Sequence, residues 1–160
     1  MLAPPFPAAA IAAARDSAKL HLRIAGAAED ALLEAHAATA LALCEAFTGQ
    51  ALIVRAWSEV LPAHDAWQRL PAAPVTLIDA VEGLSASGSG FTLPSDVYGV
   101  DIDAAGEGWV RGSGAIATGR IRVGYTAGLT PDWSGLPAPL IQGVVLLIAH
   151  LFEARASGGA

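Results

Sequence analysis

The stretch that most constrains the fold is residues 136–155, near the end of the chain, which read LPAPLIQGVVLLIAHLFEAR. Its two prolines suit the first turn of a helix, where a missing N–H costs little and the fixed φ is already helical. Apolar residues then recur every three or four positions and form a stripe too broad for a helix that faces solvent. Gln142, His150 and Glu153 interrupt the apolar run before it reaches the ~20 residues that a bilayer requires. The stretch therefore predicts a helix that packs against protein.

Two earlier helices are predicted between residues 8 and 49, after a proline-rich extended arm at residues 1–7. The second of them is the clearer. Acidic residues 29–30 favour its positive N-terminal end, and Gly49 follows its last turn. Its predicted apolar stripe consists of Leu32, His36, Ala40, Leu43 and Phe47.

A second face of that helix carries only small side chains. A helix from this chain or from a neighbouring subunit can approach such a face more closely than it can approach a leucine face. We therefore predict a subunit interface formed by Ala31, Ala35, Ala38 and Ala42.

After Gly49 the apolar period changes from helical to two. Residues 53–59 alternate, with Ile53, Arg55, Trp57 and Glu59 on one side. Further strands are predicted at 75–83, 97–102 and 119–128, with a connection at 62–74, a flexible loop at 83–90 and a turn-rich hairpin at 106–119.

This order of elements predicts an α+β fold. It is a small bundle of about three helices, from the N- and C-terminal parts of the chain, with an inserted antiparallel β module. The length of 160 residues favours one domain. Its expected parts are an arm at 1–7, helices at 8–49, a β module with loops at 50–126, a helix at 136–156 and a tail at 157–160.

Charge and cysteine content exclude several classes of protein. With a net charge of -6, the chain lacks the basic surface of a protein that binds phosphates, so specific nucleic-acid binding is not expected. The single cysteine, Cys44, excludes an internal disulfide. It lies in an apolar helical pattern, which favours a small core residue over a nucleophile.

No catalytic or ligand-binding motif is complete. The serines that lie beside glycines do not fit G-x-S-x-G, and GEGWVRGSG has Arg111 where G-x-G-x-x-G requires its third glycine. The four histidines lack metal-ligand spacing. His36 and His150, on apolar helices, are expected to be hydrogen-bonded core or interface residues. We therefore predict no catalytic residues, no cofactor and no metal.

Two other groups of residues allow a functional and a structural interpretation. Asp101 and Asp103 alternate on a predicted strand, where paired carboxylates could do acid–base work or bind a cation. We favour a solvated acidic edge that discourages aggregation.

The four tryptophans could stack on single-stranded nucleic acid, but few basic residues accompany them. We favour the sheet core and a subunit interface.

Four blocks of sequence, in order, resemble a known family. They are AKLHLRI at 18–24, EDALLEAHAATALALCEAFTGQALI at 29–53, IRVGYTAGL at 121–129 and PLIQGVVLLIAHLFEAR at 139–155. Together they are similar to the head-to-tail connector (adaptor) proteins of long-tailed bacteriophages and of phage-like gene transfer agents. The blocks cover about half the chain, and residues 62–119 carry no motif of the family.

The resemblance implies a non-enzymatic structural protein of a virion or phage-like particle, assembled in the bacterial cytoplasm and located at the head–tail junction. It implies a ring, expected to be a dodecamer, that lies under the portal protein and joins the DNA-filled head to the stopper or tail-completion protein. DNA would pass through the channel without specific binding, and no membrane is involved. The family's carboxy-terminal region engages the portal. Here that corresponds to Leu140, Val144, Leu147, Ile148, Leu151, Phe152 and Arg155, with the tail.

Other functions stay open at this point. A stopper or tail-completion protein would share the particle but contact a different ring. A small hydrolase using Asp101 and Asp103, or a small regulatory dimer, is the remaining alternative.

Overall fold

The computed structural model describes residues 3–113, 116 and 119–157, and it divides the chain into two compact units. We call Pro5–Ile53 with Leu129–Ala160 the helical unit, and Met1–Pro4 with Val54–Gly128 the β unit. The fold is α+β, with helices in the N- and C-terminal parts and a β module between them, as the sequence predicts. Part of the predicted arm, residues 1–2, and most of the tail, 158–160, lie beyond the described residues. Residues 3–7 adopt neither helix nor strand.

The helical unit contains α1 (Ala8–Leu22), α2 (Asp30–Thr48), a 3₁₀ turn (Trp133–Gly135) and α3 (Ala138–Ser157). Arg23 follows the last residue of α1, and Gly49, with φ 70°, follows the last residue of α2. Both residues adopt the left-handed conformation, which lets their N–H groups bond the last carbonyls of each helix. None of the helices in the described part of the chain is long and apolar enough to cross a membrane.

The buried face of α1 consists of small side chains. Helix α1 contributes three alanines, each 0–3% exposed, and these lie in one cluster with residues of α2 and α3. Because alanines allow a helix backbone to approach closely, α1 can pack directly against the larger buried residues of the cluster. The fully buried members are Ala14, Ala18, Leu33, Ala37, Ala40, Leu41, Leu52, Ile53, Val144 and Ile148.

The predicted apolar stripe of α2 is wrong in most of its positions. Leu32 and His36 are half-buried, Leu43 is exposed and Phe47 is 93% exposed. Of the predicted stripe only Ala40 is fully buried. Close helix packing selects a face that includes Ala37, whereas the sequence pattern favours the face with the larger side chains.

The β unit contains seven short strands in two antiparallel sheets. Their bounds are β1 (Arg55–Pro62), β2 (Gln68–Arg69), β3 (Val75–Leu84), β4 (Gly90–Thr92), β5 (Tyr98–Ile102), β6 (Gly108–Gly112) and β7 (Arg120–Ala127). One sheet has the order β1-β7-β3-β4, and the other has the order β2-β6-β5.

Strand β7 is central because it pairs along its whole length with β1 and for most of its length with β3. Its inward residues alternate with outward ones, so Ile121, Val123 and Tyr125 are 0–1% exposed. Trp57 of β1 is paired with Tyr125 and stacks on it, with ring centroids 6.4 Å apart. The Trp57 Nε1–H donates to the Ala127 carbonyl at 3.3 Å. The predicted alternation at 53–59 is confirmed for Arg55, Trp57 and Glu59, which lie in β1.

Two strands, β2 and β4, were not predicted, and one predicted strand pairing is wrong. Strand β2 lies in the predicted connection, and β4 begins at Gly90, the last residue of the predicted loop. Elements of two or three residues are too short to show an alternation. Strand β6 pairs with β5 and β2, so the hairpin expected within 106–119 is wrong as far as the described residues show.

Candidate assembly surfaces

Helix α3 was predicted to form the portal interface, and most of its apolar side chains are used inside the helical unit. Val144 and Ile148 are fully buried in the core. We therefore remove both from the predicted surface, because a buried side chain has no area left for a partner. The half-buried members are Leu140, Leu147, Leu151 and Phe152. The side chain of Arg155 is not among those described.

A different face of α3 is open to solvent. Leu146 is 48% exposed, and His150 and Glu153, one and two turns later, are exposed as well. The two polar residues indicate this exposed face in the sequence. Leu146 was not predicted to lie on it, because it falls within the apolar run.

The predicted alanine face of α2 lies at the surface. Ala31, Ala35 and Ala42 are exposed, and Ala38 is half-buried. Its role as a subunit interface stays a prediction.

An open apolar groove of about 480 Å³ lies between α2 and α3. Its lining consists of Leu43, Cys44, Ala46, Phe47 and Leu147. Cys44 is half-buried there, and burial raises the pKa of its thiol. The thiol therefore stays protonated at neutral pH, in keeping with the predicted packing role. We call Phe47 with Leu43 the Phe47 patch.

The β unit has an apolar groove of its own, between β3 and β5, with a volume of about 340 Å³. Three large apolar side chains in it are 38–53% exposed: Leu77, Val100 and Ile102. Thr76, Ile78 and Asp101 complete the lining. We call this site the β3–β5 groove. It was not predicted, because it joins two strands that are distant in sequence and belong to different sheets.

The cations of α1 are paired with nearby acids. The Arg15 guanidinium bonds the carboxylates of Asp16 and Glu34, and the Lys19 ammonium bonds that of Asp30. The hydrogen bond with Asp16 is the largest of the effects that raise the pKa of Arg15. These pairs connect α1 with the start of α2 and leave little net positive charge on this surface.

The cations of β7 hold the turn between β3 and β4. Arg120 donates to the Ser85 carbonyl, and Arg122 donates to the Gly88 carbonyl, each at 3.2 Å. Arg122 also lies 3.5 Å from the Glu82 carboxylate. Within this turn Ser85 and Ser87 bond each other through their hydroxyls at 2.8 Å, so these serines build the turn.

The predicted carboxylate pair does not form. Strand β5 ends at Ile102, and Asp103 belongs to the following turn. One Asp103 oxygen accepts from the backbone N–H groups of Ala105 and Glu107, and the other accepts from Trp109 Nε1 at 3.0 Å. These bonds, first that from Trp109, lower the pKa of Asp103. Asp103 is thus a turn residue, while Asp101 is exposed on β5.

The histidine and tryptophan predictions have mixed outcomes. His36 Nε2 is buried without a hydrogen-bond partner in the described structure, so this nitrogen lacks the expected bond. Trp57 is 8% exposed in the sheet core, as expected, whereas Trp133, 7% exposed, lies in the core of the helical unit. Trp67 is 44% exposed, with the Arg111 guanidinium 4.8 Å from its ring centroid. The described residues include no cluster of three metal-ligating side chains.

Three solved particle structures contain chains similar to this one. A chain in the neck of an empty gene transfer agent (GTA) particle, computed with C6 symmetry, is 30% identical with a TM-score of 0.75, over 96% of this chain and 84% of that one. A chain in the virion of the native GTA particle is 31% identical with a TM-score of 0.71, over 100% and 88%. A chain in the neck of the native particle, computed with C12 symmetry, is 28% identical with a TM-score of 0.67, over 96% and 84%. No protein-family model and no curated protein matches the chain.

The fold and these similarities define a structural component of a gene-transfer-agent-like particle. The chain belongs to the head-to-tail connector family of long-tailed phages and phage-like gene transfer agents.

Proposed function

We propose that this protein is the adaptor subunit that joins the DNA-filled head to the tail. Twelve copies form a ring under the portal protein, and the ring contacts the stopper or tail-completion protein on its other side. The protein performs no reaction of its own. The observation that carries the proposal is the similarity to a virion chain over all 160 residues of this one at 31% identity.

The rotational symmetry of the two neck structures supports a ring. In a cyclic ring each subunit presents two different faces, one to each neighbour. The exposed alanine face of α2, formed by Ala31, Ala35, Ala38 and Ala42, is suited to one such contact because small side chains allow a neighbouring helix to approach closely.

The charge of the chain supports passage of DNA without binding. Proteins that hold DNA neutralise phosphates with lysine and arginine and release counterions, which gives them affinity. This chain has a net charge of -6, and Arg15, Lys19 and Arg122 each lie beside a carboxylate. A channel wall of this composition lets DNA slide.

The portal contact is assigned to the end of α3. Leu151 and Phe152 keep part of their apolar surface, and residues 154–160 extend the chain beyond them. Side chains that are only half-buried can bind a partner without unfolding their own unit.

Truncation tests this assignment. A chain that ends at Glu153 loses residues 154–160, and we expect at least tenfold weaker binding to purified portal protein, about 1.4 kcal/mol. We expect its melting temperature to stay close to that of the full chain, because Val144, Val145, Ile148 and Ala149, the residues of α3 described as buried, precede the cut.

The matched control is Leu20→Ser, a change at an 83% exposed apolar residue of α1. It should leave portal binding unchanged. Equal portal binding by the truncated and full chains would contradict the assignment of α3. A full chain that binds the tail-completion protein but not the portal would instead support the stopper function.

A further inference from the structure

We propose that the free edge of strand β1 binds an extended segment of another protein of the particle, which joins the sheet as an added strand and places a lysine or arginine beside Glu59. The inference rests on the proposed adaptor function and adds a second contact to the portal contact assigned to α3. It commits the edge to one occupant, an extended chain of a different protein with a cation at one inward position.

Strand β1 lies at the edge of its sheet, whose order is β1-β7-β3-β4, so one of its sides faces no other strand of that sheet. It has eight residues, whereas β2, β4 and β5, which also lie at sheet edges, have two to five. Natural proteins protect such edges with short strands, lysines, prolines or bulges. Between Arg55 and Leu61, β1 has no lysine or proline, and its register with β7 has no shift. It is therefore the edge of the β unit best suited to accept a further strand.

The register identifies the main-chain groups that face this edge. The Ala63 N–H donates to the Gly119 carbonyl at 2.9 Å, one pair beyond the end of β1. Because alternate residues of an antiparallel pair exchange such bonds, the odd-numbered residues of β1 bond β7. Ala56, Ser58 and Val60 therefore direct their N–H and C=O groups away from β7. Within the described part of the chain, none of them makes a backbone hydrogen bond outside the sheet.

Glu59 selects the kind of segment that fits. It lies on the same side of β1 as Trp57, and its Oε1 is buried without a hydrogen-bond partner among the described residues. Burial raises the pKa of this carboxyl, and the smaller effect of the chain's α-amino group lowers it. An inward charge at an edge opposes any added strand that buries it unpaired. A strand with a lysine or arginine at the adjacent position supplies the missing partner instead.

The strands of a second copy do not meet this requirement. Two copies of β1 that pair through the same edge are related by a two-fold axis, which closes a dimer. The neck structures with similar chains were computed with C6 and C12 symmetry. Strands β4 and β5 contain no lysine or arginine, and Arg69 of the two-residue β2 is paired with Glu107. We therefore assign the added strand to a different protein.

The chain's own N-terminal arm is the rival occupant. The Pro4 carbonyl accepts a hydrogen bond from Arg55 Nε at 3.1 Å, so residue 4 lies near the start of β1. Pro5 and Pro7 also belong to the arm. A proline has no N–H to donate to a sheet. With three prolines in its seven residues, the arm cannot form the regular series of bonds that the edge offers.

Hydrogen exchange followed by mass spectrometry tests whether the edge is covered in the particle. The amides of Ala56, Ser58 and Val60 should exchange about tenfold more slowly in purified particles than in the free chain, because an added strand bonds their N–H groups. The Trp57 amide, which bonds β7 in both forms, is the internal reference. Equal exchange in both forms would overturn the proposal. So would the same protection in the concentrated chain alone, since the arm or a second copy would then cover the edge.

Ser58→Pro tests whether main-chain bonds carry the contact. It removes one N–H that faces the edge and none that bonds β7. Ser58→Ala is the matched control, because it changes the same side chain and keeps the N–H. Each variant is produced together with the native chain, and the ratio of variant to native chain is measured in complete particles. We expect this ratio to fall about tenfold for Ser58→Pro and to stay unchanged for Ser58→Ala. Equal ratios for the two variants would contradict strand addition.

Glu59→Gln tests the cation, and it does not depend on the folding of the proline variant. The melting temperature of the free chain should stay the same or rise, because a buried carboxylate without a partner is lost. The ratio in complete particles should nevertheless fall about tenfold. Glu82→Gln, at a half-exposed glutamate of the same sheet, is the control and should not change the ratio. If Glu59 only protected the edge, Glu59→Gln would assemble as well as the native chain, and the proposal would be overturned.

A failure here is distinguishable from a failure of the proposed function. If the native chain binds portal protein and is present in particles, but its β1 amides exchange as in the free chain, strand addition is overturned and the adaptor function stands. If the native chain neither binds portal protein nor is present in particles, the adaptor function is overturned as well.

Discussion

The helical unit and the β unit differ in which side chains form the centre of their cores. In the helical unit every buried residue of α1 is an alanine, and these alanines lie in one cluster with larger aliphatic residues of the neighbouring elements. In the β unit the core depends on large residues such as Trp57, Leu70 and Tyr125. A helix face of small side chains has no room for added volume, whereas a core built around large aromatic rings is sensitive to the loss of volume. Enlargement on the buried face of α1 and truncation of the β core should therefore be the substitutions that damage each unit.

Truncation of the β core should have the largest effect. Tyr125 is 1% exposed, stacks on Trp57 and accepts a hydrogen bond from the Ala72 N–H. Tyr125→Ala should lower the free energy of unfolding by about 3–5 kcal/mol, measured by denaturant unfolding. Tyr98→Ala, at a half-buried tyrosine, is the control and should cost much less. Equal losses for the two would mean that the β unit does not depend on this ring.

Enlargement should damage the helical unit. Ala14 is fully buried in α1, where a leucine has no space. We expect Ala14→Leu to cost about 1–3 kcal/mol of unfolding free energy. The same change at exposed Ala9 is the control and should be nearly neutral. Hydrogen exchange followed by mass spectrometry should show faster exchange in α1 and α3. A stable Ala14→Leu protein would contradict close helix packing.

Alkaline pH should weaken the β unit through Tyr125. Burial raises the pKa of Tyr125 from 10.0 to about 12. A raised pKa in the folded state means that the stabilisation is complete below pH 10 and is lost as the pH rises from 10 towards 12. Melting temperatures should fall over this interval in the native protein and fall less in Tyr125→Phe. Parallel slopes for the two proteins would rule out this origin.

The smallest effect is expected at the turn between β3 and β4. Arg122→Gln removes the contact with Glu82 and weakens the bond to the Gly88 carbonyl. Exposed ion pairs contribute about 0–1 kcal/mol, so the melting temperature should hardly change. Limited proteolysis should nevertheless cut residues 85–89 faster. Arg69→Gln, which affects the exposed pair with Glu107, is the control and should leave cleavage there unchanged.

The helical unit was the more predictable of the two. The prolines at the start of α3, Gly49 after α2 and the apolar periods define elements from local chemistry alone. Three of the four blocks that resemble the connector family lie mainly in these helices. The covered face of α2 was not predictable, because periodicity identifies faces but not which face a neighbour occupies. Phe47 was therefore expected in the core, and it is exposed.

The β unit was predictable only in its longer strands. Strands β1, β3 and β7 have eight to ten residues, which is long enough to show a strand pattern in the sequence. Strands β2 and β4 are too short to show one. Asp103 was predicted to lie on a strand, but it lies in the turn after β5. This turn depends on bonds from Asp103 to Glu107 and Trp109, several residues later, which the local sequence pattern does not show. Of the surfaces, the alanine face of α2 was predicted and lies exposed. The β3–β5 groove could not be predicted, since it lies between strands of two different sheets.

Cryo-electron microscopy of particles that contain this chain tests the adaptor function most directly. We predict a closed ring of twelve copies between the portal and the tail, with the end of α3 against the portal protein. A map in which the chain forms no ring, or lies on the tail side of the neck without touching the portal, would contradict it.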